Sequence, residues 1–450
     1  MSRLIGWALN IAYLALLCAA LPWIVWSAVR HGKHREGFAA KFLGWAPRRQ
    51  GSAPCVWLHA VSVGEVNLLA TTIGEFALQR PNWEIVVSTT TKTGYDLARK
   101  KYSDRSVFYC PLDFSWATAA AMRRVRPTTL VLAELELWPN LIAAAKRQGA
   151  QVAIINGRLS DNSFRGYRRF RPLVAFVLRQ IDLVAAQNEE TAERFRRLGA
   201  PARAVQATGS LKFDGAQMAR DNPSTTNLRR LAGLDERHIV FLAGSTQEPE
   251  EQYALDIFQR LAPTHPELKL ILVPRHPQRF DDVAALLDAS GVSWQRRSQL
   301  AANDDASDDA ITQRPWQVLL VDTIGELGAW WGAAAIGFVG GSFGSRGGQN
   351  MLEPAAYGVA TCFGPNTWNF RDIVGQLLAA DGAEVVRSPE EFAAFVRKSL
   401  DSPELARQVG ERAQRLVLSQ QGATRRTVAM LCSLAPTSAT NEPALKRNAA

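Results

Sequence analysis

Apolar positions along this chain follow two rhythms and one unbroken run. From 4 to 29 the sequence LIGWALNIAYLALLCAALPWIVWSAV holds no charged residue, and as a helix it is long enough to cross a bilayer. Farther on, short apolar runs at 55–59, 84–89, 107–109, 129–133, 151–155 and 183–186 alternate with helical spacings such as 65–79 and 137–148. Strands so short and so uniformly apolar are buried on both faces, and their alternation with amphipathic helices predicts a parallel, doubly wound sheet. The rhythm lapses over 213–236, a polar stretch broken at Asn222-Pro223, and resumes with strands at 238–243, 268–273, 318–321, 334–339 and 360–363. The expected organisation is therefore an anchor helix (1–30), a first Rossmann-like domain (31–215), a linker (216–236), a second Rossmann-like domain (237–432) and a disordered Thr/Ala/Asn-rich tail (433–450). Two such α/β domains are expected to face a central cleft, with ligands at the carboxyl ends of the strands.

Composition narrows the partners. With 47% hydrophobic and 21% charged residues the chain reads as an ordinary globular protein. A balance of 52 Lys plus Arg against 42 Asp plus Glu, net +10, points to an anionic partner, either nucleic acid or an anionic membrane surface. The amino terminus favours the membrane. Trp7, Trp23 and Trp26 stand near the ends of the apolar run, and Arg30, His31, Lys33, His34 and Arg35 follow it against a lone Arg3 before it. By the positive-inside rule the bulk of the protein then lies on the cytoplasmic side. A cleaved signal peptide fits less well, because the apolar run is too long and its basic residues follow rather than precede it. A helix lying in the interface, with Pro22 inside it, stays open. Five scattered cysteines without a CxxC pair indicate neither a disulfide framework nor a zinc site, and a reducing compartment is expected.

The chemistry-bearing residues fall just after strands. After the strand at 334–339 come five glycines between Gly340 and Gly348 and a helix opening at Asn350, the arrangement that brings backbone N–H groups close to a phosphate. Glu353 would repel a phosphate and is better read as an acceptor for hydroxyls such as those of a ribose. The bland reading is a glycine-rich connection capped by Asn350. Earlier, Ser62-Val63-Gly64-Glu65 places a carboxylate near a helix start, where it could act as a general base or merely close a capping box. The hydroxyl-rich loop from Ser88 to Gly94 could bind a sugar or phosphate or simply cap its helix. Glu134 and Glu136, at i and i+2, would point the same way from an extended segment. Arg165, Arg168, Arg169 and Arg171, interleaved with Phe164, Tyr167 and Phe170, form either an amphipathic basic surface or a solvated helix face. Lys212 could neutralise a leaving group, and Ala243-Gly244-Ser245-Thr246 forms another small anion loop. Arg275 and His276 are held between Pro274 and Pro277. The run Asn303 to Asp309 resembles a metal-binding DxD motif, but without a strand to fix its carboxylates it reads as a solvated loop.

As a set these segments resemble a known family. SVGE from Ser62, ELELWPNL from Glu134, NGRLS from Asn156, QNEE from Gln187, TGSLKFD from Thr208, AGST from Ala243, VPRHP from Val273, DTIGEL from Asp322, then GGSF and GGQNMLEPAAYG, are similar in kind and order to the Kdo transferases. These enzymes move 3-deoxy-D-manno-octulosonic acid (Kdo) from CMP-Kdo to a lipid A precursor. The resemblance implies an inverting GT-B glycosyltransferase of lipopolysaccharide biosynthesis at the cytoplasmic face of a cell inner membrane, with an acceptor-binding first domain and a donor-binding second one. It implies Glu65 as general base, and Glu134 and Lys212 as supports of the transition state. CMP contacts would come from Pro274 and Arg275, from Ile324, Gly325 and Glu326, and from Asn350, Met351, Leu352 and Glu353. It implies no cofactor, no metal and no nucleic-acid partner; the partners are CMP-Kdo, the lipid A precursor and the anionic membrane surface. Met351 stands where a proline is common, and the Asp-rich run looks like a local insertion. Other readings are a membrane-associated GT-B enzyme using a UDP-sugar, and a non-enzymatic nucleotide or lipid-binding protein.

Overall fold

The computed structural model describes residues 3–31, 36–300 and 315–434. The expected solvated loop at 303–309, the segment 32–35 with Lys33, His34 and Arg35, and the tail from 435 onward lie outside the described residues. The chain divides into two compact units, Met1–Gly215 with Gln421–Ala450, and Ala216–Gln420. Each is built on a seven-stranded, wholly parallel sheet.

In the first unit the strands are β1 (Cys55–His59), β2 (Glu84–Thr89), β3 (Ser106–Tyr109), β4 (Thr129–Ala133), β5 (Gln151–Gly157), β6 (Leu183–Ala186) and β7 (Val205–Ala207). Their order is β3-β2-β1-β4-β5-β6-β7. β1 and β4 are buried along their whole length, as strands covered by helices on both faces must be. The order reverses between β1 and β4, so the loops leaving these two strands part and open the crevice in which doubly wound sheets bind ligands. His59 is in register with Leu132, which brings the segments around Glu65 and Glu134 to the same sheet edge.

The second unit repeats the design with β8 (Ile239–Thr246), β9 (Leu268–Pro274), β10 (Trp294–Arg296), β11 (Val318–Leu320), β12 (Ile336–Val339), β13 (Ala360–Phe363) and β14 (Ala383–Val385). Here the order is β10-β11-β9-β8-β12-β13-β14, and the reversal falls between β8 and β12. Strands β7, β10 and β14 were not expected from the sequence. Each is three residues long and at a sheet edge, with mixed exposure rather than an apolar run.

The domain boundaries differ from the expected ones at both ends. The stretch 216–236 is an integral part of the second unit: Arg220 donates to the carbonyls of Tyr357 and Ala334 at 2.9 and 2.8 Å, Thr225 Oγ1 donates to Ala329 O, and Trp316 Nε1 donates to Ala232 O. At the other end the helix Ala423–Leu434 belongs to the first unit. Ala423, Val428 and Leu431 are buried in the same core as Val66, Leu69 and Ile73, and Asp214 caps the segment by accepting from the N–H groups of Gly422 and Thr424.

The amino-terminal helix Arg3–His31 contains an apolar span, Gly6–Trp23, long enough by length and composition to cross a membrane. Most of its large side chains, among them Trp7, Ile11, Leu16 and Trp23, are exposed. One polar edge docks on the first unit. Asn10 exchanges two hydrogen bonds with Ser115, and Tyr13 OH donates to Asp113 Oδ2 at 3.2 Å. All five cysteines are free thiols, so no bridge supports either unit.

Candidate active site

In the first unit, Ser62 caps the helix Val63–Gln79, accepting from the Glu65 N–H at 3.4 Å and donating its hydroxyl to Glu65 Oε1 at 2.8 Å. Glu65 Oε2 accepts from the Val61 N–H at 2.9 Å. The capping box is thus formed, and it orients the carboxylate rather than consuming it. A carboxylate offers about four lone-pair sites, and this one is only partly buried. The Val61 carbonyl is in turn held by the Thr89 and Thr91 hydroxyls at 3.2 and 3.1 Å, while Thr91 also caps its own helix. The hydroxyl-rich loop therefore steadies the Glu65 turn. Its cation Lys92 is paired with Glu36.

Glu134 does not lie in an extended segment. It adopts φ 56°, a left-handed conformation uncommon outside glycine, directly after β4. Such conformations cost roughly 1–3 kcal/mol and gather at functional sites. Asn156 and Ser245, with φ 53° and 55°, occupy comparable places at the carboxyl ends of β5 and β8. Lys212 Nζ stands 4.0 Å from Glu134 Oε1. The Lys212 loop is fixed by Asn156, whose Oδ1 accepts from the Leu211 N–H at 3.1 Å.

Three carboxylates share this edge. Burial raises the Glu65 pKa, with Glu134's charge adding, against the hydrogen bonds from Val61 and Ser62. Glu136 is pushed up to about 7 by burial, reinforced by the negative charges of Glu65 and Glu134 and opposed by the Trp138 indole N–H, which donates to Glu136 Oε2 at 2.8 Å. Glu136 thus holds its proton more tightly than an ordinary carboxyl group does. The sequence offered it only as the partner of Glu134, because the burial that sets its proton affinity is a property of the fold.

In the second unit Pro274 ends β9 and is buried, and the Arg275 N–H donates to Thr246 O at 3.0 Å, leaving the Arg275 side chain exposed. The short helix Leu352–Ala356 starts at Leu352 rather than Asn350, with Met351 at its N-cap position; just ahead of it Asn350 Oδ1 accepts from the Leu352 N–H at 3.1 Å, and the Asn350 amide donates to Glu353 Oε1 at 2.9 Å. The Glu353 pKa is raised by burial and drawn back by Asn350 and by the charge of Arg275, so the segments after β9 and β12 converge. Met351 and Leu352 bring no side chain to this surface; they are 0% and 8% exposed, part of the packing beneath it.

The segment after β11 is divided in role. Ile324 is 81% exposed, and Gly325, at φ 93°, has open space around it. The Glu326 carboxylate is turned to a buried Arg297, which donates from Nε and Nη2 at 2.9 Å each, and to the Thr323 hydroxyl at 2.8 Å. This leaves Ile324 and Gly325, rather than the Glu326 side chain, as the open part of the segment.

The glycine-rich loop differs most from expectation. Its first N–H groups are already taken: Glu250, 1% exposed, accepts from Gly341 at 2.7 Å, Ser342 at 2.9 Å and Phe343 at 3.0 Å, as well as from Gln247 at 2.9 Å. An internal carboxylate fills the nest that a phosphate was expected to fill. The glycines remain necessary. A Cβ at Gly340 would fall 2.6 Å from Ser245 O and from Thr246 Cα, and one at Gly347, φ 82°, would fall 2.4 Å from the Trp368 indole nitrogen. Glu250 was missed because an acidic residue at a helix start is the ordinary complement of the dipole. Among the described residues no cluster of His, Cys, Asp or Glu could hold a metal ion.

Two Rossmann-like units, each with polar side chains at its strand reversal, define a GT-B type α/β protein. Over 84% of this chain the fold is similar to UDP-GlcNAc 2-epimerase from Neisseria meningitidis, with a TM-score of 0.58 and 13% identity, covering 100% of that structure. Residues 33–215 match the family described as 3-Deoxy-D-manno-octulosonic-acid transferase (kdotransferase). The chain is 34% identical over 425 residues to the 3-deoxy-D-manno-octulosonic acid transferase of Bordetella pertussis, covering 91% of this chain and 95% of that one. It is also 34% identical over 341 residues to a bifunctional glycosyltransferase/methyltransferase of Fusobacterium nucleatum, covering 75% of this chain but 51% of that protein, so it spans about half of that relative. The chain belongs to the Kdo transferase family of glycosyltransferases.

Proposed function

We propose that the protein transfers Kdo from CMP-Kdo to an acylated, phosphorylated disaccharide, a lipid A precursor, with inversion at the anomeric carbon. The observation that carries this reading is the Glu65 carboxylate, oriented by the Val61 N–H and the Ser62 hydroxyl at the strand reversal of the first sheet, with its proton affinity raised by burial. In that state it accepts the proton of an acceptor hydroxyl as the oxygen attacks. Glu134 and Lys212, 4.0 Å apart, support the charge that develops as the sugar leaves its phosphate.

The second unit holds the leaving nucleotide. Arg275 takes the phosphate, and Glu353, oriented by Asn350, accepts from the ribose hydroxyls. The remaining CMP contacts come from the backbone of Ile324, Gly325, Glu326, Met351 and Leu352, with Pro274 fixing the approach of Arg275. A monophosphate leaving group carries charge that one arginine and backbone amides can balance, so the reaction proceeds without a metal.

The amino-terminal helix anchors the protein to the anionic inner-membrane surface on its cytoplasmic side. Asn10 and Tyr13, inside the apolar span, are bonded to the rest of the first unit, which supports a helix lying along the interface with its apolar side in lipid. The test is a transfer assay with purified protein, a lipid A precursor and either CMP-Kdo or UDP-hexoses. Turnover with CMP-Kdo supports the reading; turnover only with a UDP-hexose overturns it.

A further inference from the structure

Within the first unit a cavity of about 520 Å³ lies between the amino-terminal helix and the loops that follow β3 and β4. Its lining is of two kinds: Leu16 and Leu17 of the helix, with Leu112 and Leu137, are apolar, whereas Glu136 and Asp113 supply carboxylates. Leu16 is 68% exposed, so the apolar side is continuous with the exposed apolar surface of the helix. Glu136 belongs to the carboxylate group around Glu65, so the same cavity reaches the reacting edge.

Among the described residues no cation lines this cavity, and Glu136 and Asp113 stand in its wall. An anionic group would meet two acids and no positive partner there, whereas an alkyl chain bearing a hydroxyl or amide near one end matches the lining. Positive charge stands just outside. Tyr167 lines the cavity from the helix Asp161–Arg169, whose Arg165, Arg168 and Arg169 are exposed. The lining and its border together fit an amphipathic molecule with an apolar chain, a neutral polar junction and an anionic head.

We infer that this cavity seats one acyl chain of the acceptor glycolipid, its carbonyl end toward Glu136 and its phosphate on the arginines of the Asp161–Arg169 helix. The inference rests on the acceptor class proposed above and adds the place where the acceptor is gripped. It also gives the amino-terminal helix a second role. Besides anchoring the protein, the helix forms one wall of the acceptor site, so the chain passes from lipid into protein without crossing water.

The test is equilibrium binding to the full-length protein in mixed micelles, without donor, of an acylated glucosamine disaccharide phosphate and of its deacylated counterpart. Leu16→Trp fills the cavity from an exposed helix position and leaves the core untouched. It is expected to weaken binding of the acylated probe by roughly tenfold and to leave the deacylated probe unchanged. Leu14→Trp, on the same helix but outside the cavity lining, is expected to leave both unchanged. Equal binding by Leu16→Trp and the parent protein, or an equal loss in Leu14→Trp, overturns the inference. Because no turnover is read, failure of Kdo transfer would sink the proposed reaction and leave this result standing.

Discussion

The backbone N–H of Val61 donates to Glu65 Oε2 at 2.9 Å, so the proposed base is aimed by the same contact that starts its helix. A glutamine can occupy this place in a capping box, since its amide oxygen still accepts from the N–H. Glu65→Gln is therefore expected to keep its melting temperature and its affinity for CMP while losing transfer by roughly 10²–10⁴-fold. Glu65→Ala should lose transfer equally and about 1 kcal/mol of stability as well. Rates, CMP titration and thermal melts on the two variants separate the base from the cap.

Proton affinity around Glu65 makes the rate pH-dependent in a stated direction. The base works ionised, so kcat/KM rises with pH through the raised Glu65 pKa, a shift caused first by burial and further by Glu134. Removing Glu134's charge lowers that pKa. The residual activity of Glu134→Gln is expected to reach its plateau at lower pH than the parent, and a pH profile of kcat/KM checks this.

Glu136 and Asp113 also link stability to pH. Their folded pKa values, each about 7, exceed the ordinary values of 4.5 and 3.8. In the interval between ordinary and folded values the native state binds more protons than the unfolded one, so stability falls as pH rises. The contribution is fully present below about pH 4 and is lost through pH 7. Denaturant midpoints are expected to decline between those limits, and Glu136→Gln, which cannot ionise, should flatten the decline.

The Glu250 carboxylate closes the turn after β12 by accepting from four backbone N–H groups. Glu250→Ala strands those donors in a buried place, at a cost of about 3 kcal/mol or more. Unfolding of the second unit should shift accordingly, and CMP affinity should fall because Asn350 and Glu353 lie on the same connection. Glu250→Gln, which retains one oxygen acceptor, is expected to lose less on both measures.

Much of this was legible in the sequence. The long strands of both sheets announced themselves because strands buried on both faces are apolar at every position, and the reversals between β1 and β4 and between β8 and β12 lie where glycines and acids follow them. The edge strands β7, β10 and β14 were hidden by their length and mixed exposure. Nor could local pattern tell which core the helix Ala423–Leu434 joins; that is decided by Asp214, more than two hundred residues away, and by apolar partners such as Val66. At the candidate site the sequence drew attention to Glu65, Arg275 and Glu353 through their positions after strands. It did not reveal that Glu250, 91 residues upstream of Gly341, fills the glycine nest, because a nest accepts an internal carboxylate as readily as a phosphate. The left-handed turn at Glu134 was likewise invisible, since glutamate carries no preference for it.

Mass analysis of the product formed from CMP-Kdo and a lipid A precursor, with the parent protein and Glu65→Gln side by side, bears most directly on the central claim. The expected result is a lipid heavier by one or more Kdo units with the parent protein and unmodified lipid with Glu65→Gln, although both bind CMP. Unmodified lipid with the parent protein, or the same product at the same rate from Glu65→Gln, would contradict the account.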